Sequence, residues 1–359
     1  MTIGRPRPTV EALPAYRPGK GAAQAEEEHG ISEAIKLASN ENPLPPLPSI
    51  QAAVAEAAAA GNRYADHRAT AVREALAERL DVGTDMVTVG CGSVGLLQQL
   101  ALTYLDPGDE VVYPWRSFEV YPVYTQLMGA TAVTVPLNAE LGVDLDAVAA
   151  AVTPRTKLVF LAVPNNPTGT AVSTAALDAM LEHIPDETIV VVDEAYREFL
   201  DPAFGDPVTD LLPSHGNVLV TRTMSKAHGL AAVRVGYAVG HPDVVSSVDK
   251  TLVPFAVNGI AQAAALAALD ADDEIAARVR DILAERERVV AALGGAGWAL
   301  PDSQANFVYL ELGDRTDEVY LALERRGVVT RPFSGEGIRV TIGTPDENDR
   351  FLATLAEVG

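Results

Sequence analysis

The chain has 359 residues, 48% of them hydrophobic, and 27 Lys plus Arg against 49 Asp plus Glu give a net charge of −22. That length supports a large core divided over two lobes, and the acidity opposes phosphodiester backbones, so no nucleic-acid partner is expected and an anionic ligand has to be held by a local device such as a helix N-terminus or an aimed arginine. Cys91 is the single cysteine and the six histidines are scattered, which leaves no disulfide framework and no zinc spacing.

Residues 1–45 read as an irregular arm, because Pro6, Pro8, Pro14, Pro18, Pro43 and Pro45 interrupt any regular element. From about 49, helical and strand-like segments alternate. The alanine-rich stretch 50–60 and the amphipathic run 69–80 predict helices. Strand candidates follow at 86–89, 110–113, 132–135, 158–162, 189–192, 218–221 and 236–239, all short, apolar and rich in valine. Such runs, buried on both faces and spaced by helix-sized intervals, predict an α/β fold: a large domain with a mostly parallel seven-stranded sheet between helices. A long helix over 272–293 then precedes strands at 305–310, 328–331 and 337–342, a helix at 316–326 and a last helix, the pattern of a smaller α+β domain. The expected division is an arm over 1–45, a large domain over 46–250 and a small domain over 251–359. The apolar region 252–269 is broken by Pro254, Asn258 and Gln262, and the first residues lack an apolar stretch, so neither a membrane span nor a signal peptide is expected. A reducing, cytoplasmic setting fits.

In an open α/β sheet ligands bind at the carboxyl ends of the strands, which directs attention to the polar residues that follow them. Asp193 closes the apolar run 189–192, where a carboxylate needs a cationic partner such as a protonated pyridine nitrogen. Lys226 stands in Thr223-Met224-Ser225-Lys226, where two hydroxyls and an amine suit a phosphate, and Arg234 lies eight residues on. An amine held near another cation has its pKa lowered and can attack an aldehyde. Asn166, in Asn165-Asn166-Pro167-Thr168-Gly169, and Tyr196 are candidate donors to a ring oxygen. The segment 90–95, GCGSVG, opens a helix over 96–105 and also matches the dinucleotide pattern GxGxxG. That rival reading, a nicotinamide-dependent oxidoreductase, lacks its acidic residue at the end of the second strand, since Asp109 and Glu110 precede that strand.

Asn-Asn-Pro-Thr-Gly, Asp-Glu-Ala-Tyr, and Ser-Lys followed by Gly-Leu and Arg234 occur in the order and spacing of the fold-type I, aspartate-aminotransferase superfamily of pyridoxal-phosphate enzymes, which the chain resembles from Tyr16 to about Asn348. LASNENP at 37–43, Asn62-Arg63-Tyr64 and Gly337-Ile338-Arg339-Val340-Thr341 are similar to the histidinol-phosphate aminotransferase branch. VGCGSVGL, WRSFEVYP, DKTLVPFAVN and SQANFVYL look like its actinobacterial aromatic-amino-acid aminotransferases. Histidinol-phosphate aminotransferase itself, other pyridoxal-phosphate reactions and a non-catalytic member of the fold are alternatives.

The resemblance implies that Lys226 holds pyridoxal 5'-phosphate as a Schiff base, that Asp193 pairs with the pyridine nitrogen, and that Asn166 and Tyr196 bind the ring oxygen. It places the phosphate on the Ser93 and Val94 amides, Thr223, Ser225 and Arg234. Tyr64 would reach that phosphate from the neighbouring subunit of a homodimer, and Phe118 would lie over the ring where many relatives carry tyrosine. Arg339 would bind the substrate α-carboxylate as a planar fork, assisted by Asn40 and Asn306, with Tyr16 of the arm touching the side chain and covering the site. Which of Arg5, Arg7, Arg17, Arg325 and Arg331 faces the side-chain pocket is open. Ala65 after Tyr64 and Ala232 before Val233-Arg234 depart from the family pattern without removing a polar group. The implied reaction is ping-pong transamination of an aromatic amino acid with a 2-oxoacid such as 2-oxoglutarate. In it Lys226, once displaced, moves the α-proton.

Overall fold

The structure, a computed structural model, describes residues 4–13 and 19–359. Among these residues the strands are, in chain order, β1 (Ile35–Lys36), β2 (Val87–Gly90), β3 (Glu110–Trp115), β4 (Thr131–Pro136), β5 (Thr156–Ala162), β6 (Ile189–Asp193), β7 (Val218–Thr223), β8 (Gly236–Gly240), β9 (Phe307–Glu311), β10 (Val328–Val329), β11 (Arg331–Phe333) and β12 (Gly337–Thr341). Seven of them form one sheet in the order β2-β8-β7-β6-β5-β3-β4. β4, β3, β5, β6 and β7 run parallel, while β8 is antiparallel to both β7 and β2.

Every position of β6 and β7 is buried, because helices cover both faces. Alternation sends Val190 and Val192 of β6, with Val218 and Val220 of β7, into one core. Ile189, Val191, Leu219, Leu158 and Phe160 enter the other, against Leu96, Leu97 and Leu100 of helix Gly92–Tyr104 and Val244, Val245 and Val248 of helix Pro242–Asp249. Strands buried in this way show no polar alternation in sequence, which is why the inner strands could be located as short apolar runs.

Three expectations change. β4 sits at the sheet edge with one neighbour, and of its residues only Val135 is buried, so its valines do not signal two covered faces. The arm is not uniformly irregular. It carries short helix Pro8–Glu11, helix Ala22–His29 and β1. Pro8 occupies a first-turn position, where its missing N–H costs nothing, and no proline falls between Pro18 and Pro43 to stop the second helix. The single strand expected at 328–331 is divided at Thr330: β10 pairs in parallel with β1, and β11 pairs with β12.

The second sheet, β11-β12-β9, is antiparallel and packs against helices Asp272–Gly295 and Thr316–Glu324, and helix Pro345–Val358 packs against both of these helices and β10. The last helix is started by a reciprocal cap between Thr344 and Glu347. From β1 the chain continues along β12: the Thr341 amide donates to the Leu37 carbonyl at 2.9 Å, and the Asn40 amide to Thr341 Oγ1 at 2.9 Å. Residues 38–41 are thereby carried to the carboxyl ends of the large sheet.

Phe160, 1% exposed, stacks on Tyr121 with centroids 4.8 Å apart and planes 7° from parallel. Phe160→Ala should therefore lower the free energy of unfolding by about 3–5 kcal/mol in urea denaturation, and a loss below about 1 kcal/mol would show that this face of the sheet does not depend on the stack.

Candidate functional site

A cavity of about 300 Å³ opens at the carboxyl ends of β5, β6 and β7. The strands supply Ala162, Asp193 and Thr223, and the loops after them Asn166, Tyr196, Ser225 and Lys226. Val94 enters from the start of helix Gly92–Tyr104, Phe118 from the loop after β3, and Ser39, Asn40 and Glu41 from the segment after β1. Arg331 and Arg339 complete the wall from the small sheet.

Asp193 is 3% exposed and accepts hydrogen bonds from Tyr121 Oη and Thr221 Oγ1, both at 2.9 Å. Burial pushes its carboxyl up to about 6, although both hydroxyl donors pull the other way. Among the described residues no salt bridge reaches it, so a deeply placed acid faces the cavity with two neutral donors and no paired cation. Lys226 Nζ donates to the Ser39 carbonyl at 3.1 Å and lies 5.9 Å from the centre of the Tyr196 ring. Burial first, and then the charges of Arg339, Arg234 and Lys36, bring its amine down to about 7 against the opposing pull of Glu41.

Tyr196 Oη accepts from Asn40 Nδ2 at 2.8 Å, and its ring meets Phe307 edge-on at 5.1 Å. Burial holds its phenol above the usual range. Arg339, in the middle of β12, donates to Asn166 Oδ1 and, at 2.7 Å, to the Ala38 carbonyl. Thr341 Oγ1 fixes the Asn40 amide by donating to Oδ1 at 3.0 Å.

At the other end of the cavity, Thr223 Oγ1 donates to Ser225 Oγ at 3.0 Å, and Arg234 Nη1 reaches the same Ser225 oxygen at 3.4 Å. Arg234 Nη1 also donates to the Ala231 carbonyl at 2.9 Å, from a residue with φ of +68°. Helix Gly92–Tyr104 begins after Cys91 with no side chain capping its first amides. Gly92 has φ of +71°, and a Cβ there would lie 2.4 Å from Arg234 Nη2, so the guanidinium packs on the bare helix start. A Cβ on Gly236 would come 2.5 Å from the Ser93 amide nitrogen, which fixes how closely β8 approaches the same turn. Two hydroxyls, a guanidinium and uncapped amides thus converge on one small volume, a fit for a single phosphate.

The dinucleotide alternative does not survive this topology. β2 is an edge strand whose one neighbour, β8, is antiparallel, whereas a dinucleotide fold needs the glycine-rich turn between adjacent parallel strands. Gly92 serves the approach of Arg234 instead, and Gly90 makes room for Leu96.

Of the residues singled out in sequence, Asp193, Lys226, Tyr196, Asn166, Val94, Phe118, Thr223, Ser225, Arg234, Asn40 and Arg339 all line the cavity. Ser93 does not; it lies buried beneath Gly236, with its backbone at the helix start. Asn306 is also set back, donating through Nδ2 to the Asn40 carbonyl at 3.3 Å, so it braces the wall rather than lining it. Tyr64 is 84% exposed, stacked on Phe255 at 4.5 Å and outside the cavity of its own chain. Tyr16 and Arg17 lie outside the described residues. Among the remaining arginines left open, Arg331 lines the cavity, whereas Arg5, Arg7 and Arg325 are exposed elsewhere.

Sequence reasoning missed Tyr121 and Thr221, the two donors to Asp193. Thr221 is two residues before Thr223 on the neighbouring strand, a pairing visible once β6 and β7 are adjacent. Tyr121 comes from helix Val120–Met128, and only its place three residues after Phe118 hinted at a shared face. Ser39 contributes a main-chain carbonyl, for which side-chain chemistry gives no signal.

The family model for aminotransferase class I and II matches residues 32–355. The chain is 52% identical over 347 residues to the aromatic amino acid aminotransferase of Thermobifida fusca, covering 96% of this chain and 95% of that protein. Among solved structures, histidinol-phosphate aminotransferase from Sinorhizobium meliloti in complex with pyridoxal-5'-phosphate superposes with a TM-score of 0.91 at 29% identity, covering 99% of this chain and 98% of that one. A Thermus thermophilus aspartate aminotransferase mutant shares the fold at a TM-score of 0.83 and 24% identity, over 99% of this chain and 100% of that one. With its sheet order, its cavity and these likenesses taken together, the chain belongs to the aminotransferase class I and II family.

Proposed function

We propose that the protein is a pyridoxal 5'-phosphate-dependent aminotransferase that transfers the amino group of aromatic amino acids to a 2-oxoacid such as 2-oxoglutarate. One observation carries the reading: in a single cavity an amine brought down to about 7 faces a buried carboxyl that lacks a cation. A lysine free to be neutral near pH 7 is a nucleophile toward an aldehyde, and a carboxylate held at the end of β6 suits a protonated ring nitrogen. Bound pyridoxal phosphate would supply the aldehyde for Lys226 and a ring that accepts the electrons released at the substrate Cα.

The remaining roles follow from placement. Asp193, oriented by Tyr121 and Thr221, would keep the ring nitrogen protonated. Asn166 and Tyr196 would hold the ring oxygen, and Phe118 the ring face. The Ser93 and Val94 amides, Thr223, Ser225 and Arg234 would hold the phosphate. Arg339, beside Asn40 and with Asn306 behind it, would take the α-carboxylate and so aim the Cα–H bond at Lys226. The Lys226 amine would then carry the α-proton away from Cα, a task for which a pKa near the working pH is suited. Most of these groups come from 87–240, while Asn40, Asn306 and Arg339 come from before and after that stretch. This supports a division into an arm over 1–45, a large cofactor-binding domain over 46–250 and a small domain over 251–359.

Tyr64, so exposed in one chain, would complete the phosphate site of a second copy, making the working unit a homodimer in which Tyr16 covers the substrate. No helix among the described residues is long and apolar enough to cross a membrane. A cytoplasmic small-molecule enzyme with no nucleic-acid partner agrees with this and with the net charge of −22. The aromatic preference is supported by the name of the Thermobifida fusca relative and by the apolar lining that Phe118 and Ala162 bring to the cavity. The second reading, histidinol phosphate as amino donor, is favoured by Arg331 in the wall and by the name of the Sinorhizobium meliloti neighbour.

Single-turnover absorbance titration of the cofactor-loaded protein separates the two. Phenylalanine should convert the cofactor band efficiently and histidinol phosphate poorly. The reverse order would assign the second reading, and a protein indifferent to both would undo the transaminase reading. Lys226→Ala should abolish multiple-turnover transamination, with a fall on the order of 10⁴-fold or more. The lowered amine also has a consequence for stability in the cofactor-free protein. Between its native value of about 7 and its ordinary 10.5, the unfolded chain holds a proton that the native chain has lost. The contribution of Lys226 is thus fully present above 10.5 and is lost as pH falls through 7. Urea denaturation across this window should show stability rising with pH in the parent protein and a shallower rise in Lys226→Ala; identical slopes would refute the lowered amine.

A further inference from the structure

Glu324 closes helix Thr316–Glu324, and its side chain is 0% exposed. Two of its partners come from the arm: Lys20 Nζ donates to Oε1 at 2.5 Å, and His29 Nε2 lies 2.8 Å from the same oxygen. Burial opposes the charged form of Glu324, yet the hydrogen bonds of Lys20, Tyr320 and His29 bring its carboxyl below the usual range. The helix it ends packs on β10, β11 and β12, the strand that carries Arg339. On the arm side, Lys20 is joined to Gly19, which lines the cavity. A Cβ on Gly19 would lie 2.9 Å from Ser39 Oγ, and the Ser39 carbonyl accepts the Lys226 amine. One buried carboxylate thus connects the sheet of Arg339 to the rim beside Lys226.

We propose that Glu324 is a positioning residue: its buried charge clamps Lys20 and so seats Gly19 as the rim that closes the cavity over a bound amino acid. This rests on the transaminase reading above. The arm has little else to hold it. Helix Ala22–His29 is eight residues long and buries only Ala25, against Ala38 and Val329, too short a helix and too little apolar surface to dock by itself. The carboxylate, by contrast, cannot be left alone. Lifting Lys20 into water would strand a desolvated charge, so the cost of opening the rim falls on Glu324 rather than on the arm. Lys20 also donates to Glu28 Oε2 at 2.6 Å, but that carboxylate is 44% exposed and remains solvated whether or not the amine is present.

The cofactor-loaded wild type, Glu324→Gln, Lys20→Met and the double variant are compared by steady-state transamination of phenylalanine and by amide hydrogen exchange. Each single variant should raise KM for phenylalanine by about fivefold or more and change kcat by no more than about twofold, because the closed rim is populated less often while the reacting groups stay in place. Exchange should quicken in helix Ala22–His29 and stay unchanged in β12 and helix Pro345–Val358. The double variant should be no worse than the worse single one, as for two halves of one interaction. A merely structural role would lower kcat or quicken exchange through the whole small domain. Either result, an unmoved KM or additive effects overturns the proposal. Lys20→Met, at a side chain 21% exposed, keeps the test available if Glu324→Gln does not fold. Failure of the transaminase reading is seen separately, as a wild type that turns over no amino donor, and hydrogen exchange then still decides whether Glu324 holds the arm.

Discussion

A carboxyl group kept at the end of a fully buried strand, with hydroxyl donors but no paired cation among the described residues, is the constraint around which the molecule is arranged. Asp193 can occupy that position because β6 is the central strand of the sheet and its two oxygens are held by Tyr121 and Thr221, one from a covering helix and one from the adjacent strand. Burial raises its proton affinity, and only an external positive charge could reverse that. The same desolvated surroundings lower the proton affinity of Lys226. The two groups are therefore displaced toward each other, the acid upward and the base downward, and a cationic ring between them would relieve the first while reacting with the second.

The chemistry sits on the large sheet, but its geometry depends on chain segments far away in sequence. β1 pairs with β10, and the residues after it run along β12, so Ser39 and Asn40 share a rigid frame with Arg339. Hydrogen bonds then join that frame to the loops of the large sheet, among them Asn40 to Tyr196, Arg339 to Asn166 and Lys226 to Ser39. Groups expected at the substrate end are tied directly to groups expected at the ring end. The arm, which begins as a proline-rich tail, ends as part of the cavity wall.

How much of this could be read in sequence depended on whether the signal was local. The inner strands of the large sheet stand out because burial on two faces leaves a continuous apolar run, and the polar residues at their ends mark the cavity without further help. Burial of β4 could not be read, since its composition matches that of its neighbours and only its edge position exposes it. Proline counting overstated the irregularity of the arm, because the spacing of prolines matters more than their number. Asn306 was assigned to the substrate and stands one layer back, as a motif does not distinguish contact from support. Arg331 could not be chosen among the arginines, since its orientation is set by the hairpin with β12 and by Glu119, which is 212 residues away.

Arg339 does not wait in solvent for an anion. Its guanidinium is already committed to the Asn166 amide oxygen and the Ala38 carbonyl. On the proposed reading, an incoming carboxylate would exchange these acceptors for a charged one, gaining the difference between two hydrogen-bonded states rather than the whole worth of a bare ion pair. Binding would then be shallower and departure quicker. For a catalyst whose product must leave by the entrance its next reactant uses, that shallow well is an advantage: residence time is shortened at the point where tight holding would slow the cycle.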